Sequence, residues 1–119
     1  MNVLIVEDDI AAAETLSEFL VAKGFNCTVE TSGKTAMKNL GTAIDAAIMD
    51  IKLGEGPDGL MLTEKLKKLN PNALVIVTTG QDISKMRIES FEKGADFFLA
   101  KPIDLNFLTE QVNKLVLPG

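Results

Sequence analysis

The residues of this chain best suited to chemistry stand where short apolar runs stop. Val3-Leu4-Ile5-Val6 runs into Glu7-Asp8-Asp9, and Ala46-Ala47-Ile48-Met49 runs into Asp50. Leu74-Val75-Ile76-Val77 runs into Thr78-Thr79-Gly80, and Phe97-Phe98-Leu99-Ala100 runs into Lys101-Pro102. Carboxylates gathered with other oxygen donors suit a hard divalent cation such as Mg²⁺. A lysine and a hydroxyl beside that cation suit a phosphoryl group. The chemistry therefore depends on folding that brings acids, hydroxyl and amine to one place.

The apolar runs themselves supply the means. A run this short, bounded by polar residues, reads as a strand buried on both faces of a parallel sheet. In open parallel α/β sheets ligands bind outside the carboxyl ends of the strands, so all four groups are expected on one rim. Strands are expected near 2–6, 26–30, 45–50, 73–78 and 96–100, and helices near 9–23, 33–41, 59–69, 82–93 and 104–116. The first helix carries Ala13, Leu16 and Leu20 on one stripe and stops at Gly24, and the last repeats Leu105, Leu108, Val112, Leu115 and Val116 after a candidate N-cap at Asp104. The fourth (Ile83, Met86, Phe91) has the weakest stripe and is expected to be the easiest to displace. Strict alternation of strand and helix implies a parallel sheet covered on both faces.

Composition narrows the function. The chain has 119 residues, 46% hydrophobic and 24% charged, which fits one soluble α/β domain spanning 1–119. The net charge of −5 argues against direct binding to nucleic acid, which needs clustered cations. The one basic cluster, Lys65, Lys67 and Lys68, reads as a solvated helix face. With no His there is no His zinc ligand, no Ser-His-Asp triad and no phosphohistidine. The single Cys27 cannot form an internal disulfide; it reads as a small buried hydrophobe and fits a reducing, cytoplasmic setting. No signal peptide or membrane span is visible.

Taken together, Val6-Glu7-Asp8-Asp9, the strand-ending Asp50, Thr79-Gly80, and Gly94-Ala95-Asp96-Phe97-Phe98-Leu99-Ala100-Lys101-Pro102 make the chain resemble the response-regulator receiver domain of two-component signalling, over essentially its whole length. The resemblance implies a single doubly wound five-stranded parallel sheet of order 2-1-3-4-5 with five helices. It implies that Asp50 accepts a phosphoryl group from a sensor histidine kinase or a histidine phosphotransfer protein. It further implies Mg²⁺, with Mn²⁺ as an alternative, held by Glu7, Asp8, Asp50 and the backbone carbonyl of Lys52. Thr79 matches the switch hydroxyl, Gly80 the small residue after it, Lys101 the phosphoryl-pairing lysine and Phe98 the aromatic switch position. The Lys101-Pro102 bond is often cis in such proteins. Asp9 falls outside the acidic pair and reads as an N-cap of the first helix. Three carboxylates this close raise one another's pKa without a cation, so metal binding is expected to depend on pH. Gln81 is near enough in sequence to influence dephosphorylation.

One departure concerns the loop after Asp50. Receivers usually carry Pro four residues beyond the acceptor; here that residue is Gly54, and the loop to Asp58-Gly59 is lengthened. Gly54 gives the backbone more freedom, and a mobile loop is expected. Output is expected through the surface of the fourth helix, fifth strand and fifth helix, toward a downstream protein target or an excised effector domain. The domain is not expected to be an enzyme beyond assisting its own phosphorylation and dephosphorylation. A small Mg²⁺-dependent phosphatase with an aspartate nucleophile is disfavoured by Lys52, where such enzymes carry a second Asp. A degenerate interaction module is disfavoured by the full set of acids. A flavodoxin-type flavin site is disfavoured because Glu7-Asp8-Asp9 would repel a phosphate.

Overall fold

A computed structural model describes residues 1–80 and 84–116, with side chains described as far as 114. The elements run β1 (Asn2–Val6), α1 (Ile10–Ala22), β2 (Asn26–Glu30), α2 (Gly33–Asn39), β3 (Ala46–Asp50), α3 (Gly59–Leu69), β4 (Leu74–Thr79), α4 (Ser84–Glu92), β5 (Phe97–Ala100) and α5 (Leu105–Val116). The five strands pair in the order β2-β1-β3-β4-β5, each pair parallel. This is the parallel sheet expected from the alternation of elements, in the doubly wound order that the resemblance implied. Gln81 and Ile83, and the side chains of Leu115 and Val116, lie outside the described residues.

Strand alternation divides the core in two. Leu4, Val6, Ala47, Met49, Val75, Val77 and Phe98 face Leu60, Leu62 and Leu66 of α3 and Ala36 of α2. Val3, Ile5, Ala46, Ile48 and Ile76 face Ala13, Leu16 and Leu20 of α1 and Leu108 and Val112 of α5. Every residue of β3 is buried, which is why this strand reads as a continuous apolar run up to its terminal Asp50. β2 is an edge strand and keeps Cys27 and Val29 half-buried. Cys27 is therefore less buried than its apolar neighbours suggested. Burial still pushes its thiol pKa up, against a hydrogen bond to Ser17.

Side-chain caps start the helices beside the rim. The Asp9 carboxylate accepts from Ala12 N at 3.2 Å, Asp58 from Leu60 N and Met61 N at 3.0 and 2.9 Å, and Asp104 from Asn106 N and Phe107 N at 2.9 and 3.1 Å. Each such cap contributes roughly 1 kcal/mol. Asp9 is thus occupied as a cap. α4 buries only Ser90 fully, in line with its weak apolar stripe.

The basic cluster on α3 is not wholly a solvated face. Lys67 Nζ donates to Ala73 O at 2.6 Å and to Asp96 Oδ2 at 2.9 Å, and the same Asp96 oxygen accepts from Val75 N at 2.8 Å. This network closes the rim opposite the acids, tying α3 to the starts of β4 and β5.

Candidate functional site

The carboxyl ends of β1, β3, β4 and β5 bring the four polar groups together. Glu7 follows β1, Asp50 ends β3, Thr79 ends β4 and Lys101 follows β5. Register enforces this: Val6 pairs with Met49, Asp50 with Thr78, and Thr79 with Ala100. The Lys101 amide donates to Thr79 O at 2.8 Å, which fixes the start of the β5–α5 loop, and the Lys101-Pro102 bond is cis.

At the centre, Lys101 Nζ donates to Glu7 Oε1 at 2.5 Å and to Asp50 Oδ2 at 2.7 Å. Both acid side chains are 10% exposed and the lysine side chain 30%. Carboxylate oxygens of Glu7, Asp8 and Asp50 lie within 4.8 Å of one another, and Asp8 is exposed. Three carboxylate oxygens so close form a donor set that can hold a metal ion, and oxygen donors favour a hard cation. Asp9 stands outside the set. Lys52 is exposed two residues beyond Asp50.

Electrostatics follow from this packing. Burial first, and the neighbouring Asp50 carboxylate next, push the Glu7 carboxyl up to about 7, against the downward pull of Lys101. Burial works against the Lys101 ammonium, but its bonds to Asp50 and Glu7 outweigh that and hold its pKa above the usual lysine range. The lysine is thus the internal counter-charge of the acidic cluster.

The two threonines diverge. Thr78 shares the parity of Ile76, on the α1/α5 face, and its hydroxyl donates to Met49 O at 3.4 Å. Thr79 shares the parity of Val77 and Phe98, on the α4 face, and is buried. Phe98 is itself buried in the core beneath α4. Gly80 is exposed, and a Cβ built on it meets nothing within 4 Å.

Three glycines that sequence reasoning did not single out shape the rim. A Cβ on Gly59 would stand 2.2 Å from the Asp50 carbonyl oxygen, so only glycine lets α3 start this close to the strand end. The loop after Asp50, expected to be mobile, is instead docked on the start of α2. Lys34 N donates to Glu55 O at 3.3 Å, a Cβ on Gly33 would strike Pro57 O, and one on Gly56 would strike Lys34 N at 2.6 Å. The freedom brought by Gly54 is spent on a positive φ of 67° that turns the chain toward this contact. Beside the rim, a cleft of about 650 Å³ opens between α1 and the β5–α5 loop, walled largely by Ala11, Ala12, Leu16, Ile103 and Leu105. Glu7 and Lys101 line it and Asp50 does not, so the cleft borders one side of the acidic centre.

The profile of the response regulator receiver domain matches residues 3–113. The chain belongs to this family. A receiver domain protein (CheY-like) from Methanospirillum hungatei has the same fold with a TM-score of 0.88 and 28% identity, over 97% of this chain and 93% of that one. A response regulator from Burkholderia pseudomallei, solved with a phosphorylated aspartic acid, a calcium ion and citrate, superposes with a TM-score of 0.83 and 26% identity, over 98% of this chain and 75% of that one. A cyclic di-GMP phosphodiesterase of Thermotoga maritima is 36% identical over 108 residues, which is 91% of this chain and 29% of that protein. The chain spans about a quarter to a half of the length of the curated relatives it matches. Among the described residues, no helix is long and apolar enough to cross a membrane.

Proposed function

We propose that residues 1–119 form a receiver unit in which Asp50 is the phosphoacceptor of a two-component or phosphorelay pathway. The observation that carries this reading is the bridging of Glu7 and Asp50 by Lys101 inside a three-carboxylate cluster. A lone carboxylate is a weak nucleophile toward phosphorus, and the incoming group adds negative charge to an acidic site. Lys101 supplies a fixed positive charge at Asp50, and Glu7 and Asp8 provide oxygens for a divalent ion. The Burkholderia regulator, with its phosphorylated aspartic acid and calcium ion, supports the pairing of an acceptor with a cation.

In the transfer, an Asp50 carboxylate oxygen forms a bond to phosphorus while the P–N bond to the partner's phosphohistidine breaks, and the imidazole leaves with a proton. Mg²⁺, or Mn²⁺ in its place, would be held by Glu7, Asp8, Asp50 and the Lys52 carbonyl, and would neutralise phosphoryl charge. Lys101 keeps its hydrogen bond on the acceptor side. Thr79, at the carboxyl end of β4 immediately before Gly80, is the hydroxyl that reaches the phosphoryl group, in keeping with the switch position it matches in the family. Gly80 leaves the approach open. The added charge biases a two-state element, the α4–β5–α5 surface with Phe98 beneath it. The donor is a histidine kinase or phosphotransfer protein, and the target is a downstream protein or an effector domain. The setting is the cytoplasm, and the chemistry is limited to its own phosphorylation and dephosphorylation.

The test is incubation with acetyl phosphate and Mg²⁺, followed by intact mass. A gain of one phosphoryl group that disappears in Asp50→Asn and with chelator supports the reading. No gain, or an equal gain in Asp50→Asn, overturns it.

A further inference from the structure

We propose that Arg87 is a positioning residue that clamps Phe98 beneath α4 and so couples the phosphoryl site to that helix; the coupling half of this proposal rests on the function proposed above. The guanidinium carbon of Arg87 lies 5.9 Å from the centroid of the Phe98 ring on β5 and 5.7 Å from that of Phe91, one turn along α4. Both distances fall within cation–π range. Arg87 is itself exposed on α4, and among the described residues it forms no ion pair; the contacts its guanidinium makes are with the two rings. Phe98 is 6% exposed while Phe91 is 43% exposed, so the clamp joins a core ring to a surface ring.

The rest of the grip on α4 is slight. Only Ser90 is buried, its hydroxyl is satisfied within the helix by Met86 O at 2.7 Å, and Met86 is half-buried against the core. Against so few contacts a cation spanning two rings matters. Phe98 has no hydroxyl to anchor it, so packing and the guanidinium decide where the ring sits. The ladder links this to the rim. Phe98 pairs with Val77 and Ala100 with Thr79, and the next amide, that of Lys101, donates to Thr79 O. Thr79 and Phe98 share one face of the sheet, beneath α4. Movement of Thr79 or Lys101 toward a modified Asp50 therefore shifts the strand that carries Phe98, and Arg87 passes the shift to α4.

The experiment follows amide hydrogen exchange in α4 for the wild type, Arg87→Gln, Arg87→Lys, Phe98→Leu and the double variant Arg87→Gln/Phe98→Leu, first without ligand. Arg87→Gln is expected to speed exchange across Met86–Glu92 about fivefold while leaving α1 and α3 unchanged. Arg87→Lys is expected to retain most of the protection, and the double variant to be no faster than Phe98→Leu alone. The second stage adds Mg²⁺ and beryllofluoride, a phosphoryl mimic, and reads its affinity. If the clamped position of Phe98 beneath α4 is the one that the mimic favours, as the coupling requires, Arg87→Gln should weaken binding about fivefold and Arg87→Lys should restore it. Unchanged α4 exchange in Arg87→Gln, or effects of Arg87 and Phe98 that simply add, overturns the clamp. Normal clamp behaviour with identical mimic affinity in Arg87→Gln overturns the coupling. Failure of the wild type to bind the mimic would count against the proposed phosphoacceptor, while the clamp would still be judged by the first stage.

Discussion

Lys101 and Asp50 are 51 positions apart in the chain, yet the lysine ammonium lies 2.7 Å from an Asp50 carboxylate oxygen. The same nitrogen also holds Glu7. Replacing Lys101 with Met leaves two largely buried carboxylates facing each other. The pair is partly open to solvent, so the loss is set below that of a fully buried ion pair, at about 1–3 kcal/mol in metal-free protein. Mg²⁺ should restore part of it, because a bound cation takes over the counter-charge. Urea unfolding followed by circular dichroism, with and without Mg²⁺, checks both statements.

The raised Glu7 carboxyl sets a pH dependence with a definite sign. Between its ordinary 4.5 and about 7 the folded protein keeps a proton on Glu7 that the unfolded chain has released. The contribution of Glu7 to metal-free stability is therefore greatest at low pH, falls as pH rises through this window, and levels off above about 7. Metal affinity runs the other way. Below about pH 7 it should drop by up to about tenfold per pH unit, as an ion must displace that proton. Calorimetric Mg²⁺ titrations from pH 5.5 to 8.5 should show this slope. Glu7→Gln should flatten it while weakening binding overall.

Gly59→Ala puts a methyl group 2.2 Å from the Asp50 carbonyl oxygen. Either α3 or the end of β3 must move. We expect a loss of about 1–3 kcal/mol, the usual cost of overpacking, and slower phosphorylation by acetyl phosphate under conditions where the variant is still folded. Thermal melting and timed mass measurements separate the two effects.

The opposite rim offers a control. Lys67→Met removes the donor shared by Ala73 O and Asp96 while sparing every residue of the acidic cluster. Stability should fall by about 1–2 kcal/mol, with metal affinity and phosphorylation unchanged at temperatures well below melting. A parallel fall in metal affinity would show that the two rims are linked.

The sheet and the convergence of its strand ends were legible because β1, β3 and β4 are buried on both faces. Burial of that kind writes itself as an apolar run that ends abruptly at a polar residue. The caps at Asp9 and Asp104 were legible for the same local reason. Contacts between distant segments were not. Lys67 looks no different in sequence from Lys65 and Lys68, and only folding brings Asp96 to it. Gly33, Gly56 and Gly59 matter for the Cβ they lack, which has meaning only once the neighbouring backbone is in place. The long loop after Asp50 looked free because its anchor, the start of α2, lies in another part of the chain. Arg87 gave no signal either, since its two aromatic partners sit on different elements.

The central claim is that Asp50 forms an acyl phosphate, and borohydride trapping tests it most directly. Protein treated with acetyl phosphate and Mg²⁺ is reduced, digested and sequenced by tandem mass spectrometry. An aspartyl phosphate is reduced to homoserine, so the account predicts homoserine at position 50 and at no other acid, with none formed when Mg²⁺ is chelated. Homoserine at Asp8 or Asp9 with Asp50 intact, or none anywhere in protein that binds Mg²⁺, would contradict it.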